Sequence, residues 1–144
     1  MDETIALFHW LSWVSDQIYG EDARGAARRW TLRRIHRDGP STVPELARAR
    51  AIRRQSIQPV VDSLAREGLV VAKANPRHAR SMRFALTDAG MRFVERLDRV
   101  DDRVLRAVSR GIAPRDLALA ASTLQRLRAG FETGARWRIA AQSS

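Results

Sequence analysis

The chain has 144 residues, no cysteine, and 26 basic against 16 acidic residues, which gives a formal net charge of +10. This length and a hydrophobic content of 44% suit one domain with a buried core. The lack of cysteine excludes disulfides, a thiolate nucleophile, a thiol redox switch and a cysteine-type zinc site. Because no stretch approaches the roughly 18 apolar residues of a membrane span and the N-terminus lacks the basic start of a signal peptide, we expect a cytoplasmic protein with no membrane partner.

The basic excess is concentrated in the middle of the chain. Between Arg24 and Arg83 lie 15 basic and four acidic residues, whereas the rest of the chain carries 11 basic and 12 acidic ones. All of the basic residues except Lys73 are arginine, which binds phosphate and guanine with two parallel hydrogen bonds. This distribution predicts a nucleic-acid-binding segment between electrically balanced arms. A solvated basic surface and an anionic-membrane patch are alternatives that the charge alone leaves open.

The first predicted element is a helix over residues 4–19. Its apolar residues recur every three or four positions in two adjacent stripes: Leu7, Leu11, Val14, Ile18, Ala6, Trp10 and Trp13. So wide an apolar arc exceeds what one small core can cover, and it predicts packing against a second chain.

Three helices follow in the basic segment. The first, over 24–37, ends at Asp38-Gly39-Pro40, because glycine adopts the left-handed cap and proline cannot continue a helix. Thr42 and Glu45 have the spacing of a capping box, which starts a short helix through Arg48.

A brief turn over 50–52 precedes the third of these helices, which runs to about Glu67. Its predicted buried residues are Ile57, Val60, Val61 and Leu64. Pro59 falls inside this helix, where a proline costs roughly 3 kcal/mol. Two outcomes are open: a kink at Pro59, or a later start with Ser56 as the cap and Pro59 in the permissive first turn.

The rest of the chain predicts a β-hairpin and two further helices. Strands over 69–74 and 82–86 flank a loop that carries two arginines, which makes a hairpin with a basic tip. Thr87 caps a long helix, and Pro114 starts a last helix that continues through Phe131. The fold class is therefore mainly α with one small hairpin.

One segment of 49 residues, 42–90, carries a recognisable combination of motifs. It reads TVPELARARAIRRQSIQPVVDSLAREGLVVAKANPRHARSMRFALTDAG. The combination of a short ELA helix, the RQS-x-Q helix, the LAREGLV turn, an arginine-tipped hairpin and the LTDAG helix start resembles the MarR family of winged helix-turn-helix regulators.

The resemblance implies an obligate homodimer that binds double-stranded DNA. The whole chain, 1–144, would be a single MarR-like domain in which 24–87 form the DNA-binding lobe. Residues 1–20 and 88–144 would form the dimerisation helices. Each protomer would place its recognition helix in a major groove and its wing arginine in the neighbouring minor groove.

Three positions depart from the family's pattern. His78 stands where an Asp usually pairs with the wing arginine, here Arg80. Arg53 stands where a Ser or Thr commonly caps the recognition helix, so the cap must come from elsewhere. Pro59 interrupts the recognition helix, and we expect a docking angle on DNA that differs from that of relatives.

Eight residues are candidates for DNA contact. They are Thr42, Arg53, Arg54, Gln55, Ser56, Gln58, Arg77 and Arg80. Arginine pairs bidentately with guanine and glutamine with adenine, so Arg54, Gln55 and Gln58 are the candidates for base contact, with a solvated face as the alternative. Thr42 and Arg53 are candidates for phosphate contact and Ser56 for phosphate contact or capping, whereas Arg80, then Arg77, are candidates for the minor groove.

A small aromatic anion is a candidate effector. In the family that the chain resembles, such anions often bind between the dimerisation helices and the DNA-binding lobe, and the resemblance implies that Trp13, Tyr19, Trp30 and Arg34 would line this cleft. The alternative is that these aromatic residues only fill the core and the dimer interface. The histidines His9, His36 and His78 are too dispersed for a metal site, and no motif indicates an enzyme or a cofactor.

Together with the family resemblance, the sequence predicts a dimeric transcription regulator that represses a pseudo-palindromic operator, and the resemblance and the tryptophan cluster imply that it responds to a ligand. One alternative is a winged-helix module that binds protein or anionic lipid without sequence-specific DNA recognition. Another is the dimerisation fragment of an enzyme such as a methyltransferase, which would require a catalytic domain for which 144 residues leave no room.

Overall fold

The computed structural model describes residues 2–20, 23–76 and 81–133. Contacts divide the chain into two units, one that extends to Asp98 and one that starts at Arg99. Six helices and two strands lie within the described ranges. They are α1 (Asp2–Tyr19), α2 (Ala23–Asp38), α3 (Val43–Ala49), α4 (Arg54–Arg66), β1 (Val70–Lys73), β2 (Arg83–Leu86), α5 (Asp88–Val108) and α6 (Pro114–Thr133).

Helix boundaries in the first unit follow local capping. Gly39, with φ of +81°, ends α2 and donates its N–H to the Ile35 carbonyl over 3.0 Å. Thr42 has extended backbone and forms the predicted capping box with Glu45 at the start of α3. The predicted order of helices and strands is confirmed.

The core of the first unit lies between α2, α3, α4, the hairpin and α5. Its buried residues are Leu32, Ile35, Val43, Leu46, Ala47, Ile57, Val61, Leu64, Val70 and Val94. Each large apolar side chain here contributes about 1.5–3 kcal/mol by burial, so α4 is held by its inner face. Val60 is half-buried at the edge of this core, rather than buried as predicted.

The two strands form an antiparallel hairpin. Val70 pairs with Leu86 and Lys73 with Arg83. Ser41 extends the sheet, because its N–H and carbonyl exchange hydrogen bonds of 3.0 and 2.8 Å with Phe84. The wing is thereby tied to the segment that starts α3.

Helix α4 begins at Arg54, and Pro59 lies inside it. The alternative of a later start with Ser56 as the cap is therefore wrong. Proline removes the N–H that would donate to the Gln55 carbonyl in a regular helix. Burial of Ile57, Val61 and Leu64 on the opposite face compensates for that loss.

Large apolar side chains remain exposed in each unit. Helix α1 has no buried residue, and Phe8, Trp10 and Trp13 are 65%, 64% and 55% exposed. In the second unit, Leu119, Leu127 and Phe131 of α6 are exposed. No helix among the described residues is long and apolar enough to cross a membrane.

Candidate nucleic-acid interface

Helices α3 and α4 form a helix-turn-helix with a tight connection. Ala51 has φ of +55°, and the N–H of Ile52 donates to the Ala47 carbonyl over 3.0 Å. This turn redirects the chain over the four residues between the two helices, so that α3 packs against the buried face of α4. The opposite face of α4 is left to solvent.

The exposed face of α4 carries most of the predicted DNA-contacting residues. Arg54, Gln55 and Ser56 are exposed in its first turn, with Arg53 immediately before them. Gln58 is half-buried, and its Nε2 donates to Asp62 Oδ1 over 2.9 Å. The structure thus brings five of the eight candidates together at one helix end.

The N-terminus of α4 has no side-chain cap. Arg53 is in the extended conformation of a cap residue, but its guanidinium cannot accept a hydrogen bond. The Ser56 N–H donates to the Arg53 carbonyl over 3.0 Å, so the N–H groups of Arg54 and Gln55 and the positive dipole end of the helix are what remain for an anion such as a phosphate.

The start of α3 is chemically different, because Thr42 is already engaged. It is 7% exposed, and its hydroxyl accepts from the Glu45 N–H over 3.3 Å. Its own N–H donates to Glu45 Oε2 over 2.7 Å. This backbone hydrogen bond is the main cause that lowers the pKa of Glu45, with Arg83 and Arg48 acting in the same direction through charge.

An ion pair joins the C-terminal end of α4 to α2. Both terminal nitrogens of Arg28 donate to the Glu67 carboxylate, and Ser63 Oγ donates to Glu67 Oε1 over 2.9 Å. These hydrogen bonds, that from Arg28 foremost, lower the pKa of Glu67 to about 2. They fix the far end of α4 against the lobe and so support its orientation.

The chain segment between the two strands contains the remaining candidates. Arg77 and Arg80, together with His78, lie outside the described residues. The strands on both sides of the tip are described, with Asn75 buried at its base and Arg83 half-buried on β2. The predicted minor-groove contact therefore remains a prediction.

A basic cavity of about 290 Å³ lies along α2. It is lined by Ser15, Ala26, Arg29, Trp30, Arg33, Arg34 and Arg37. Two residues predicted for a ligand, Trp30 and Arg34, are among them. Arg29 Nη2 donates to Ser15 Oγ over 3.2 Å, and Arg34 Nε lies 2.5 Å from Asp38 Oδ2.

The other two predicted ligand residues lie elsewhere. Trp13 lines a shallow groove on α1 with Ala6, His9 and Trp10. The Tyr19 ring lies under the Arg29 guanidinium at 4.5 Å, and its hydroxyl donates to the Leu97 carbonyl over 3.3 Å.

Sequence reasoning missed the lining residues Ser15, Arg29, Arg33 and Arg37 as ligand candidates. The spacing of four between these three arginines was the available signal, since it places them on one face of α2. Among the described residues, no three His, Asp or Glu side chains come together as a metal site.

Comparisons with known proteins agree with this geometry. Residues 26–81 match the model of the MarR family. An uncharacterized protein of Mycobacterium tuberculosis is 36% identical over 67 residues, which is 46% of this chain and 47% of that protein. The chain therefore spans about half the length of the curated relatives that it matches.

Two solved structures share the fold. FabT of Streptococcus pneumoniae, solved in complex with DNA, is 13% identical with a TM-score of 0.70 over 91% of this chain and 94% of that chain. BpsR of Bordetella bronchiseptica, whose DNA binding is regulated by 6-hydroxynicotinic acid, is 17% identical with a TM-score of 0.68 over 88% of this chain and 90% of that chain. The predicted winged-helix fold is confirmed.

Proposed function

We propose that this protein, whose residues 26–81 match the model of the MarR family, is a dimeric, sequence-specific transcription regulator, a repressor of a pseudo-palindromic operator. The observation that carries the proposal is the exposed polar face of α4, which is anchored on its apolar side and ends in an uncapped N-terminus. Such a helix presents hydrogen-bonding side chains to the major groove and its first N–H groups to a phosphate.

Base recognition falls to Arg54, Gln55 and Gln58. Each is able to form a bidentate contact with a purine, and each such contact discriminates against the wrong base by about 1–3 kcal/mol. Arg53 and Ser56 flank them and contact phosphate, which positions the helix without reading sequence. The Thr42 side chain is engaged in the capping box of α3, so a phosphate contact at this position would use the backbone at the start of α3 and not the Thr42 hydroxyl.

The wing supplies the minor-groove contact. Arg80, with Arg77 as the second candidate, would enter the narrow groove, where the negative potential is concentrated. The excess of positive charge between Arg24 and Arg83 attracts the DNA phosphates along the whole lobe.

Dimerisation accounts for the exposed apolar residues. Phe8, Trp10 and Trp13 on α1 and the exposed leucines of α6 are more apolar surface than a monomer ordinarily leaves in water. A two-fold dimer then requires two half-sites about 10 bp apart, centre to centre.

Ligand response is assigned to the cavity along α2. Its four arginines and Trp30 suit a small aromatic anion, because guanidinium groups pair with a carboxylate and the indole stacks on a ring. Regulation of the Bordetella protein by 6-hydroxynicotinic acid supports this ligand class. The spacing between the two recognition helices differs between conformations of the dimer. An anion that binds one conformation more tightly than another would shift the population towards it and so change the affinity for DNA.

The DNA-binding proposal is tested by selection from a random DNA library at two salt concentrations, with sequencing of the bound fraction. We expect an inverted repeat that Arg54→Ala abolishes. Arg115→Ala removes the same charge from an arginine that is 88% exposed on α6 and serves as the matched control. Recovery of no motif, with binding that weakens steeply with salt, would reduce the protein to a phosphate-binding or protein-interaction module.

Dimerisation and ligand response are tested separately. Light scattering at micromolar concentration should give twice the chain mass of 16.3 kDa, and a monomer would contradict the dimer. Benzoate and 6-hydroxynicotinate should raise the melting temperature and change operator affinity, and less so in Arg34→Gln. If neither anion raises the melting temperature or changes operator affinity, the protein does not respond to this ligand class.

A further inference from the structure

The exposed face of α4 contains an acidic residue whose position is unexpected for a DNA-binding helix. Asp62 is one of only four acids among the 15 basic residues of the central segment. It lies on the same side of α4 as Gln55 and Gln58, within about 60° of helix rotation. A carboxylate at this position repels DNA phosphate and weakens binding, which suggests that Asp62 has another role in DNA recognition.

The structure pairs Asp62 with a residue proposed to read bases. Gln58 Nε2 donates to Asp62 Oδ1 over 2.9 Å, and this is the one hydrogen bond or ion pair of Asp62 within the described ranges 2–20, 23–76 and 81–133. The neighbouring arginines of α4 are not bound to it. Its electrostatic cost is therefore not offset by a salt bridge in this part of the chain.

An ionised carboxylate fixes the orientation of the amide that it contacts. It has acceptors only, whereas a glutamine amide offers an acceptor oxygen on one side and a donor nitrogen on the other. The amide nitrogen must therefore face Asp62, one turn towards the C-terminus, and Oε1 must face away from it. Without such a partner the amide flips freely and presents either group.

We infer that Asp62 is a positioning residue that determines which DNA base Gln58 prefers, because it fixes the orientation of the Gln58 amide. This inference rests on the proposed function and deepens it. With one N–H of Nε2 held by Asp62, Oε1 faces away from Asp62 and accepts from the amino group of adenine or cytosine, while the second N–H of Nε2 remains for the adenine N7 of a bidentate contact. The flipped amide would instead donate to the O6 of guanine or the O4 of thymine. Asp62 thus favours an amino base over a keto base at one position in each half-site.

The test compares operator preference in the wild type, Asp62→Asn, Asp62→Glu, Gln58→Ala and the double variant. In Asp62→Asn, whose amide accepts or donates equally well, the amino-base preference at one position should fall about tenfold. Asp62→Glu retains an acceptor-only carboxylate and should restore most of the preference. In the Gln58→Ala background, Asp62→Asn should change no base preference.

Removal of the charge has a separate effect that the design isolates. Asp62→Asn should also strengthen binding to every DNA sequence, because it removes repulsion from phosphate. Asp102→Asn removes the same charge from an exposed residue of α5 and should leave the base preference unchanged. Asp62 is exposed, so circular dichroism should show unaltered folding in its variants.

Three results would overturn the inference. Asp62→Asn could strengthen all binding but keep the wild-type preference, which would leave a charge effect alone. Gln58→Ala could leave every position unchanged, which would mean that Gln58 reads no base. A wild type that selects no motif would refute the proposed function itself, and this outcome is distinct because it appears before any variant is compared.

Discussion

Gly90, in the LTDAG segment, allows the start of α5 to approach the end of α4. A Cβ added at this position would lie 2.0 Å from the Leu69 carbonyl oxygen, 3.0 Å from its carbon and 3.2 Å from Leu86 Cδ2. The same carbonyl accepts the Thr87 N–H over 3.1 Å, and the Thr87 hydroxyl accepts from the Gly90 N–H over 3.1 Å. The obstruction is backbone, so it cannot rotate away.

We expect Gly90→Ala to destabilise the first unit. Relief of the clash requires a backbone shift of more than 1 Å, roughly, and overpacking of this kind costs about 1–3 kcal/mol. Loss of the Thr87 hydrogen bond adds about 1 kcal/mol, whereas the better helix propensity of alanine returns up to about 1 kcal/mol. The net loss is about 1–3 kcal/mol, and a loss of about 2 kcal/mol lowers the melting temperature by about 8 °C.

Urea denaturation followed by circular dichroism at equal protein concentration measures this loss. Gly130→Ala is the matched control, because Gly130 lies in α6 with nothing within 4 Å of its added Cβ. That variant should gain about 0.5–1 kcal/mol from helix propensity. If Gly90→Ala is as stable as the wild type with an unchanged m-value, the packing argument is refuted.

Three further predictions concern the helix-turn-helix. Because Arg28 lowers the pKa of Glu67 to about 2, below its ordinary 4.5, this pair stabilises the fold above pH 4.5 and loses its effect as pH falls towards 2. Glu67 is 43% exposed, so solvent screens its interaction with Arg28. Arg28→Met should therefore lower the free energy of unfolding by about 1 kcal/mol at pH 7 and by almost nothing at pH 2, as measured by denaturation at both pH values. An equal loss at both pH values would contradict the stabilising role of the ion pair. Pro59→Ala should stabilise α4 by about 1–3 kcal/mol in thermal unfolding, since it restores an N–H donor inside the helix, and a loss of stability would mean that the helix is adapted to the proline. Thr42→Ala should cost about 1 kcal/mol through the capping box, and Glu45→Gln, which keeps the side-chain acceptor, should cost less; equal losses would assign the effect to charge.

Local features of the fold were predictable from the sequence. The capping box joins Thr42 to Glu45, three residues apart, and the Gly39 cap involves one residue and its neighbours, so both depend on short-range geometry alone. The spacing of Ile57, Val61 and Leu64 likewise identified the buried face of α4, and the outward face followed from it. The candidates for base contact were predictable for this reason.

The start of α4 was not predictable. Pro59 left two alternatives open, because a proline is tolerated in a first turn that Ser56 would cap and is also compatible with a longer, kinked helix. The structure places the start at Arg54, because the helix buries Ile57 and Val61 in the core even though no side chain caps it. Local propensity and tertiary packing disagree at this point, and packing prevails.

The ligand residues show the same limit over a longer distance. The sequence drew attention to Trp13 and Tyr19, but one lies in a groove on α1 and the other under Arg29. The cavity is formed where Ser15 of α1 meets one face of α2, and such a juxtaposition depends on how two helices cross.

By itself, the sequence determined the order of elements, the buried faces of the helices and the basic character of the lobe, because these follow from periodicity, capping and charge. Only the tertiary structure decided which groups approach across elements. The carbonyl of Leu69 at Gly90 and the ion pair of Arg28 with Glu67 join residues 21 and 39 positions apart. Contacts over such separations are set by the packing of the core, which no local pattern records.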